Sequence, residues 1–580
     1  MLPNELILGV TLAIGFAFAD KRVGFVNQAI ETEQVQCTAS GVPTWINGYF
    51  LRQLCGGVGP QTAVKGKKIE HFFDCMGMVG SYKFQSGNVF YTSKLYDTRP
   101  NAIWTEKNRN MEESSVAWDT SYTDIDATAY RTSGTKYMSK PNLNPNVDFW
   151  RLGYEVVAVT EDTQALKLDP VTLASGGLFD FHENNFNQPS NTAFVNNVAH
   201  GVTDTDGYLW SSVVTLQPVT FNGQLFYDAY RLIYKIDPKS YNRTVVSKAK
   251  ASDTRVDLSK CTNQFASGHW IYQDPNFKVG YTHSMAMSEN YIVVPSTNLF
   301  LNPCFLLPQV KNEDPKPELR TWFGIDDVHK SPSQIVVMRK KDGRLWQFSG
   351  LSSYFFMHSV NAFEDATRSN VVHVDLLTYT SGPKVFTVYM KLGFLSNAFN
   401  FWPQEQKINR YSLDLTSNTL GTDVLNPNGI SLAIEFPQIN PAFIGKPYKF
   451  VYAVDNPFSE HSQILKLNVN SRTQSSWTPP NNVYVSEPVF LQSPSKTAED
   501  QGVLLVGAFN STAKKGLVYV LDAVDMKQIG MAEAPVLTPF GLHGRFFSTS
   551  QVHRNGGAQR GTCTFGLILV ITIIGHTIGR

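Results

Sequence analysis

Four of the 12 histidines share one kind of setting. His200 stands in NNVAHGVTDTDG, His283 in YTHSMAMSENY, His358 in YFFMHSVNAFED and His543 in FGLHGRFF. Each has small or apolar neighbours beside a strand start or a turn. Taken singly, each would be read as a core histidine with a satisfied hydrogen bond. Taken together they are a donor set. Imidazole suits zinc, copper, iron and nickel. Structural zinc usually closes with cysteine, and catalytic zinc usually keeps three protein ligands and a water. Four imidazoles with room for two more ligands suit octahedral Fe(II), whose open positions accept O₂. Several other histidines read as incidental: His329, His461 and His553 in polar segments, His373 within VVHVDLL, and His576 near the C-terminus.

The four are separated by 83, 75 and 185 residues, so no single helix or hairpin could gather them. A closed ring of β-blades could, because each blade sends its inner strand to one axis. The texture of the chain agrees. From about residue 40 onward, short strand-like runs such as YEVVAVTED, SQIVVMRK, KFVYAVD and GVLLVGAF alternate with Gly, Asn, Asp and Pro turns. YKFQSGNVFYTS reads as a hairpin around Ser86-Gly87-Asn88. In YIVVP, Tyr291–Val294 is a buried strand ended by a proline, directly downstream of His283. Helical periodicity is rare, and Ser396–Trp402 is the candidate for a short helical insertion. The class is therefore all-β, a sandwich array or a β-propeller, with no WD or kelch repeat to mark the blades.

Composition excludes some functions. Charge is balanced, 50 Lys+Arg against 49 Asp+Glu, which argues against nucleic acid as the main partner. The basic runs Lys65–Lys68 and Arg339–Lys341 read as solvated strand ends. The 38 Phe and 24 Tyr can fill cores or line an apolar tunnel. Six cysteines without a CxxC make neither a disulfide scaffold nor a zinc ribbon. Leu6–Ala19 is an apolar run too short to span a bilayer, and Ala17-Phe18-Ala19 resembles a signal-peptidase site, so residues 1–19 are read as a signal peptide. Residues 555–580 carry small residues followed by the apolar Phe565–Ile574, the pattern of a GPI signal or a tail anchor. Sequons at Asn242 and Asn510 are compatible with passage through the secretory pathway, to a secreted or membrane-attached form. A cytosolic, membrane-associated protein is the alternative.

Nine motifs, in order, carry a resemblance. They are PTWINGYFLRQLCGGVGP, HFFDCMGMVGSYKF, VTEDTQALKLDPVTL, AHGVTDTDG, THSMAMSENYIVV, MHSVNAFED, EFPQINPAFIGKPYKFVYAV, SEPVF and LHGRFF. Over residues 40–550 the chain resembles the carotenoid cleavage oxygenases. Within them it is similar to the animal branch of β-carotene dioxygenases and the retinoid isomerase of the retinal pigment epithelium. The resemblance implies a seven-bladed β-propeller with a short helical cap over the iron face. It places the four iron ligands at His200, His283, His358 and His543. It places carboxylates that accept the distal N–H of three of those rings at Glu161, Glu435 and Glu487. From alternation alone, Glu435 lies opposite Leu432, Ile434 and Phe436, facing either solvent or the bore. The chain departs from the family pattern at Gly201 and Val202, where relatives often carry Pro and a second His, at Leu542 and at Cys75. No PDPCK-like membrane-contact segment stands near Met111–Trp118.

The implied activity is that of a non-haem Fe(II) dioxygenase, with O₂ as co-substrate, cleaving a double bond of a carotenoid or apocarotenoid to carbonyl products. The alternatives are isomerase or ester-cleaving chemistry on retinoids at the same iron, and a propeller that only binds lipid. The expected partners are a lipophilic polyene and a membrane surface, with no obligate protein partner. A Rossmann GxGxxG or other cofactor motif is absent from the sequence, in keeping with a reaction that consumes no reductant.

Overall fold

The computed structural model describes residues 31–552 except 57–71, 73–74, 103–138, 142, 187, 264–269, 308–322, 325–332, 352–353, 381–401, 428–430 and 495–496. Residues 1–19, Lys65–Lys68, Met111–Trp118, His329, His553, His576 and the tail 555–580 lie outside the described residues. So does the candidate helix at 396–402 apart from Trp402, which is buried.

Among the described residues the strands form seven largely antiparallel blades, with two small two-stranded sheets beside them. We number them from the first inner strand in the chain. The inner strands are Asp148–Leu152, Ala193–Asn197, Ala286–Met287, Phe355–Glu364, Ile434–Gln438, Val483–Gln492 and Gly541–Ser548. Alternating apolar residues on both faces of the middle strands explain the stacking: Val156–Val159, Val371–Tyr379 and Leu504–Ala508 are buried throughout, as strands sandwiched between neighbouring blades must be. Expected hairpin geometry holds with one refinement. Gln85 pairs with Asn88, so the turn is Ser86-Gly87 alone, with φ of 50° and 84°. That is a two-residue turn of the kind that suits the strand twist.

The ring closes twice. In blade seven the C-terminal strand Gly541–Ser548 pairs with Gly48–Cys55 from the other end of the chain. In blade six the N-terminal Thr38–Ser40 adds to the outer edge along Gln528–Glu533. Thr32–Gln36 likewise caps the outer edge of blade seven. Inter-blade contacts at the axis are polar and specific. Trp150 Nε1–H donates to the Ala199 carbonyl at 2.8 Å between blades one and two. The serines after His283 and His358 stitch blades three and four. Ser284 Oγ donates to the Met357 carbonyl at 2.8 Å and accepts the Ser359 N–H at 2.7 Å, and Ser359 Oγ donates to the Met285 carbonyl at 2.8 Å. Met285 and Met287 pack with Ile292 and Val294, so they are core residues.

Cys55 pairs with Cys75 and Cys261 with Cys304, while Cys37 is free and buried. His373, read as incidental, is bonded to Ser412 and Asp365.

Candidate metal centre at the propeller axis

His200, His283, His358 and His543 meet at the axis, with one nitrogen from each lying within 4.8 Å of the others. His200 follows the blade-two inner strand and forms a parallel bridge with Ser284. His283 precedes the blade-three inner strand, His358 lies within that of blade four, and His543 within that of blade seven. Tight packing holds the last: a Cβ on Gly544 would lie 2.9 Å from both Arg52 Cδ and Phe50 Cε2. Arg52, itself buried, donates to the carbonyls of Glu487 at 3.2 Å and Gly541 at 3.2 Å, clamping the strands that carry Glu487 and His543.

Every ring has a carboxylate behind it. His283 Nδ1 lies 2.5 Å from Glu161, His358 Nδ1 2.6 Å from Glu435, and His543 Nδ1 2.9 Å from Glu487. His200 Nδ1 lies 2.8 Å from Asp148, a residue the sequence reading missed. A carboxylate is an acceptor only, so each Nδ1 carries the proton and each Nε2 presents a lone pair. The Nε2 atoms of His200 and His283 are 3.1 Å apart, and those of His358 and His543 are 3.3 Å apart. Neutral lone pairs repel at that range. A cation at their centre turns the same geometry favourable, and metal–nitrogen bonds of about 2.1 Å give neighbouring donors this spacing. The residues present therefore fit a four-imidazole metal site.

The electrostatics agree. Burial, reinforced by the neighbouring imidazoles, pushes His200 and His543 well below the ordinary imidazole range, which keeps them neutral. Burial works against the charge of Glu435, but His358, the Tyr379 hydroxyl and the Phe436 N–H outweigh it and hold its carboxyl low. Burial pushes Glu487 upward, against Arg545 and the Gly544 N–H. Each carboxylate is fixed from a second side: Tyr281 donates to Glu161, Tyr379 to Glu435, and Gln438 to Glu487 at 2.7 Å.

The two sides of this ring differ. Towards the N-terminal ends of the inner strands lies an aromatic wall. Phe436 sits with its centroid 5.8 Å from His358 and 5.4 Å from His543, backed by Phe458, Phe540, Phe72 and Trp402. Simple alternation placed Phe436 with Ile434, facing away from Glu435. Instead the register shifts between Glu435 and Gln438 and Phe436 takes φ 58°, a bulge that turns its ring over the histidines. Towards the C-terminal ends the bore opens into a cavity of about 590 Å³. It is lined by residues that follow the histidines in sequence, such as Thr203, Ser359 and Asn361, and by Arg151, Gln438 and Arg545.

Asp148 left a signal in the sequence. It is a carboxylate followed by an aromatic residue at a strand start, as Glu435-Phe436 is, and both accept the next residue's N–H, at 2.7 Å in each case. What hid it was its partner: His200 is 52 residues away and on a different blade.

Over residues 24–548 the chain matches the family model described as retinal pigment epithelial membrane protein. It is 23% identical over 536 residues to the carotenoid isomerooxygenase of Galleria mellonella, covering 89% of this chain and 94% of that one. It is 25% identical over 556 residues to the beta,beta-carotene 15,15'-dioxygenase of Gallus gallus, covering 90% and 97%. Among solved structures it resembles a chimera of Synechocystis apocarotenoid oxygenase and RPE65 at TM-score 0.65 and 20% identity, covering 92% of this chain and 99% of that one. It also resembles a cobalt-substituted Synechocystis apocarotenoid oxygenase at TM-score 0.64 and 19% identity, with the same coverage. At those identities the structural likeness speaks for the fold.

Proposed function

The chain belongs to the carotenoid oxygenase family, an oxygenase enzyme on the seven-bladed propeller, and from that premise we propose that it holds Fe(II) on His200, His283, His358 and His543 and cleaves a polyene double bond with O₂. The observation that carries this reading is the set of four inward lone pairs at the axis, each fixed by a carboxylate on Nδ1. Bound iron supplies O₂ activation beside the substrate; the chain does the rest. The carboxylates aim the rings, fix the Nδ1–H tautomer and raise the basicity of Nε2. The aromatic wall of Phe436, Phe458, Phe540 and Phe72 offers an apolar face adjoining the rings, suited to a flat conjugated chain and unsuited to water. Which double bond stands at the metal is then a matter of how far the polyene slides along that wall.

Fe(II)-loaded protein supplied with β-carotene and apocarotenoids is expected to release aldehydes or ketones that carry oxygen from O₂. Iron bound with no cleavage of any polyene overturns the reading. Isomerase or ester-cleaving chemistry on retinoids is the second reading, favoured by the retinal pigment epithelial family description; turnover that persists without O₂ selects it.

A membrane source for the substrate is part of the proposal. The hairpin Leu209–Phe221 and Gln224–Ile236 runs past Ala193, which pairs with Leu216, and so projects on the aromatic side of the ring. Its tip bears Phe221 and Leu225, 53% and 54% exposed, with the Arg255 guanidinium 5.3 Å from the Phe221 ring centroid. Exposed apolar groups at a hairpin tip suit a lipid surface; Arg255 is itself held by Asp228 at 3.0 Å. We also propose residence in the secretory pathway. The two disulfides suit an oxidising compartment, and the sequon residue Asn242 is exposed. A glycosidase-sensitive mass shift tests it.

A further inference from the structure

Blades one and seven meet at an ion pair that four imidazole ligands do not by themselves require. Asp148 is fully buried at the start of the blade-one inner strand. Its carboxylate accepts the Phe149 N–H at 2.7 Å, the His200 Nδ1–H at 2.8 Å, and two Arg545 N–H groups at 3.0 and 2.6 Å. Arg545 lies two residues after His543 in the blade-seven inner strand and borders the cavity, its side chain 41% exposed. Burial works against the Asp148 charge, but Arg545 and the His200 ring outweigh it and hold the carboxyl well below the usual carboxylate range.

A buried ion pair at the closing seam can be a structural staple and nothing more. The arrangement around His200 says otherwise. Behind Glu161, Glu435 and Glu487 the side chains that donate hydrogen bonds are neutral: Tyr281, Tyr379 and Gln438. Behind Asp148 stands a permanent cation in a two-pronged grip, the geometry that fixes a carboxylate most firmly. His200 and His358 are the more exposed rings, their side chains 12% and 10% exposed against 1% for His283 and 6% for His543. Of those two, only His200 has a carboxylate gripped by a cation.

We propose that Asp148 and Arg545 are a positioning pair for His200: Asp148 takes the Nδ1–H and aims Nε2 at the metal, while Arg545 locks Asp148 in place and cancels its charge. Arg545 thereby offsets one of the four carboxylates around the site, while the buried Arg52 stands beside Glu487. The inference rests on the metal reading of the site.

Co(II) is the probe, titrated into metal-free full-length protein against a chromophoric chelator, with the ligand-field absorption bands recorded. Asp148→Asn keeps the shape and removes the charge. It is expected to weaken Co(II) binding roughly 10- to 100-fold and to shift the bands, which a mere staple would not move. Arg545→Met leaves a buried unpaired anion and is expected to lower the melting temperature of the metal-free protein. The double variant D148N/R545M relieves that burial and is expected to melt closer to the unaltered protein while still binding Co(II) weakly. It decides the matter where a single variant fails to fold. Unchanged Co(II) affinity and bands in D148N and in the double variant overturn the pair's role and leave only a seam staple. Failure of the unaltered protein to bind any Co(II) or Fe(II) overturns the metal reading itself, and the pair with it.

Discussion

The N-terminal and C-terminal ends of the inner strands face the same four histidines and are built differently, one as a closed aromatic wall and the other as an open cavity of mixed lining. On the N-terminal side, Phe436, Phe458, Phe540 and Phe72 pack in edge-to-face and tilted pairs as one continuous cluster. On the C-terminal side, Thr203, Ser359 and Asn361 share the lining of an open cavity with the apolar Met285, Val489 and Phe547. Asp148, His358, Glu435, Glu487 and His543 stand within inner strands where the two environments meet, and His200 and His283 stand just beside theirs. The difference is one of packing as much as polarity. The aromatic wall is closed and apolar throughout, whereas the cavity offers open space with polar and apolar groups side by side.

The largest expected effect is at the boundary itself. His358→Ala, or removal of metal by a chelator, should lower polyene cleavage on the order of a thousandfold. Only the chelated protein should recover on adding Fe(II), as product chromatography would read. Next comes the apolar side. Phe458→Ala removes a buried ring touching Phe72, Trp402, Phe436 and Phe540. It should cost about 3–5 kcal/mol in denaturant unfolding and raise KM for the polyene. Glu435→Gln leaves that wall intact but loosens His358, and should weaken metal binding roughly 10- to 100-fold with the KM for substrate little changed. The paired change Phe221→Ser and Leu225→Ser at the exposed tip should cut binding to lipid vesicles about tenfold or more, at about 1.5–3 kcal/mol per full side chain buried. Detergent-solubilised substrate should still be cleaved at the normal rate. Smallest is Thr203→Val on the cavity side, exposed and outside the wall. It should shift stability by less than about 0.5 kcal/mol and leave KM alone; a large rise in KM there would break the contrast between the two sides.

Much of the fold is written locally. Short alternating runs, turn residues such as Ser86-Gly87, and the strand at Tyr291, which runs on through Pro295 to Ser296 where the sequence suggested it would stop, announce an all-β chain without reference to anything distant. The double closure is not legible, because Thr38–Ser40 pairs with a strand near residue 530 and nothing in TAS says so. The metal residues divide the same way. Three carboxylates and four histidines could be singled out because each stands in a recognisable motif. Asp148 is harder to single out, since its carboxylate-aromatic signal acquires meaning only beside His200 and Arg545, the latter 397 residues away.

Sequence alone determined the chemistry on offer: four neutral-capable donors, carboxylates to orient them, abundant aromatics and no nucleotide-binding motif. These are properties of residue types and need no partner to be true. Tertiary structure alone decided which nitrogens face inward and that every ring has its carboxylate. It also decided that a bulge swings Phe436 over the metal face and that Arg545 compensates a fourth buried anion. Those facts arise only when seven blades close on one axis, because repulsion between lone pairs, burial of charge and stacking of rings are set by distances that chain order does not contain.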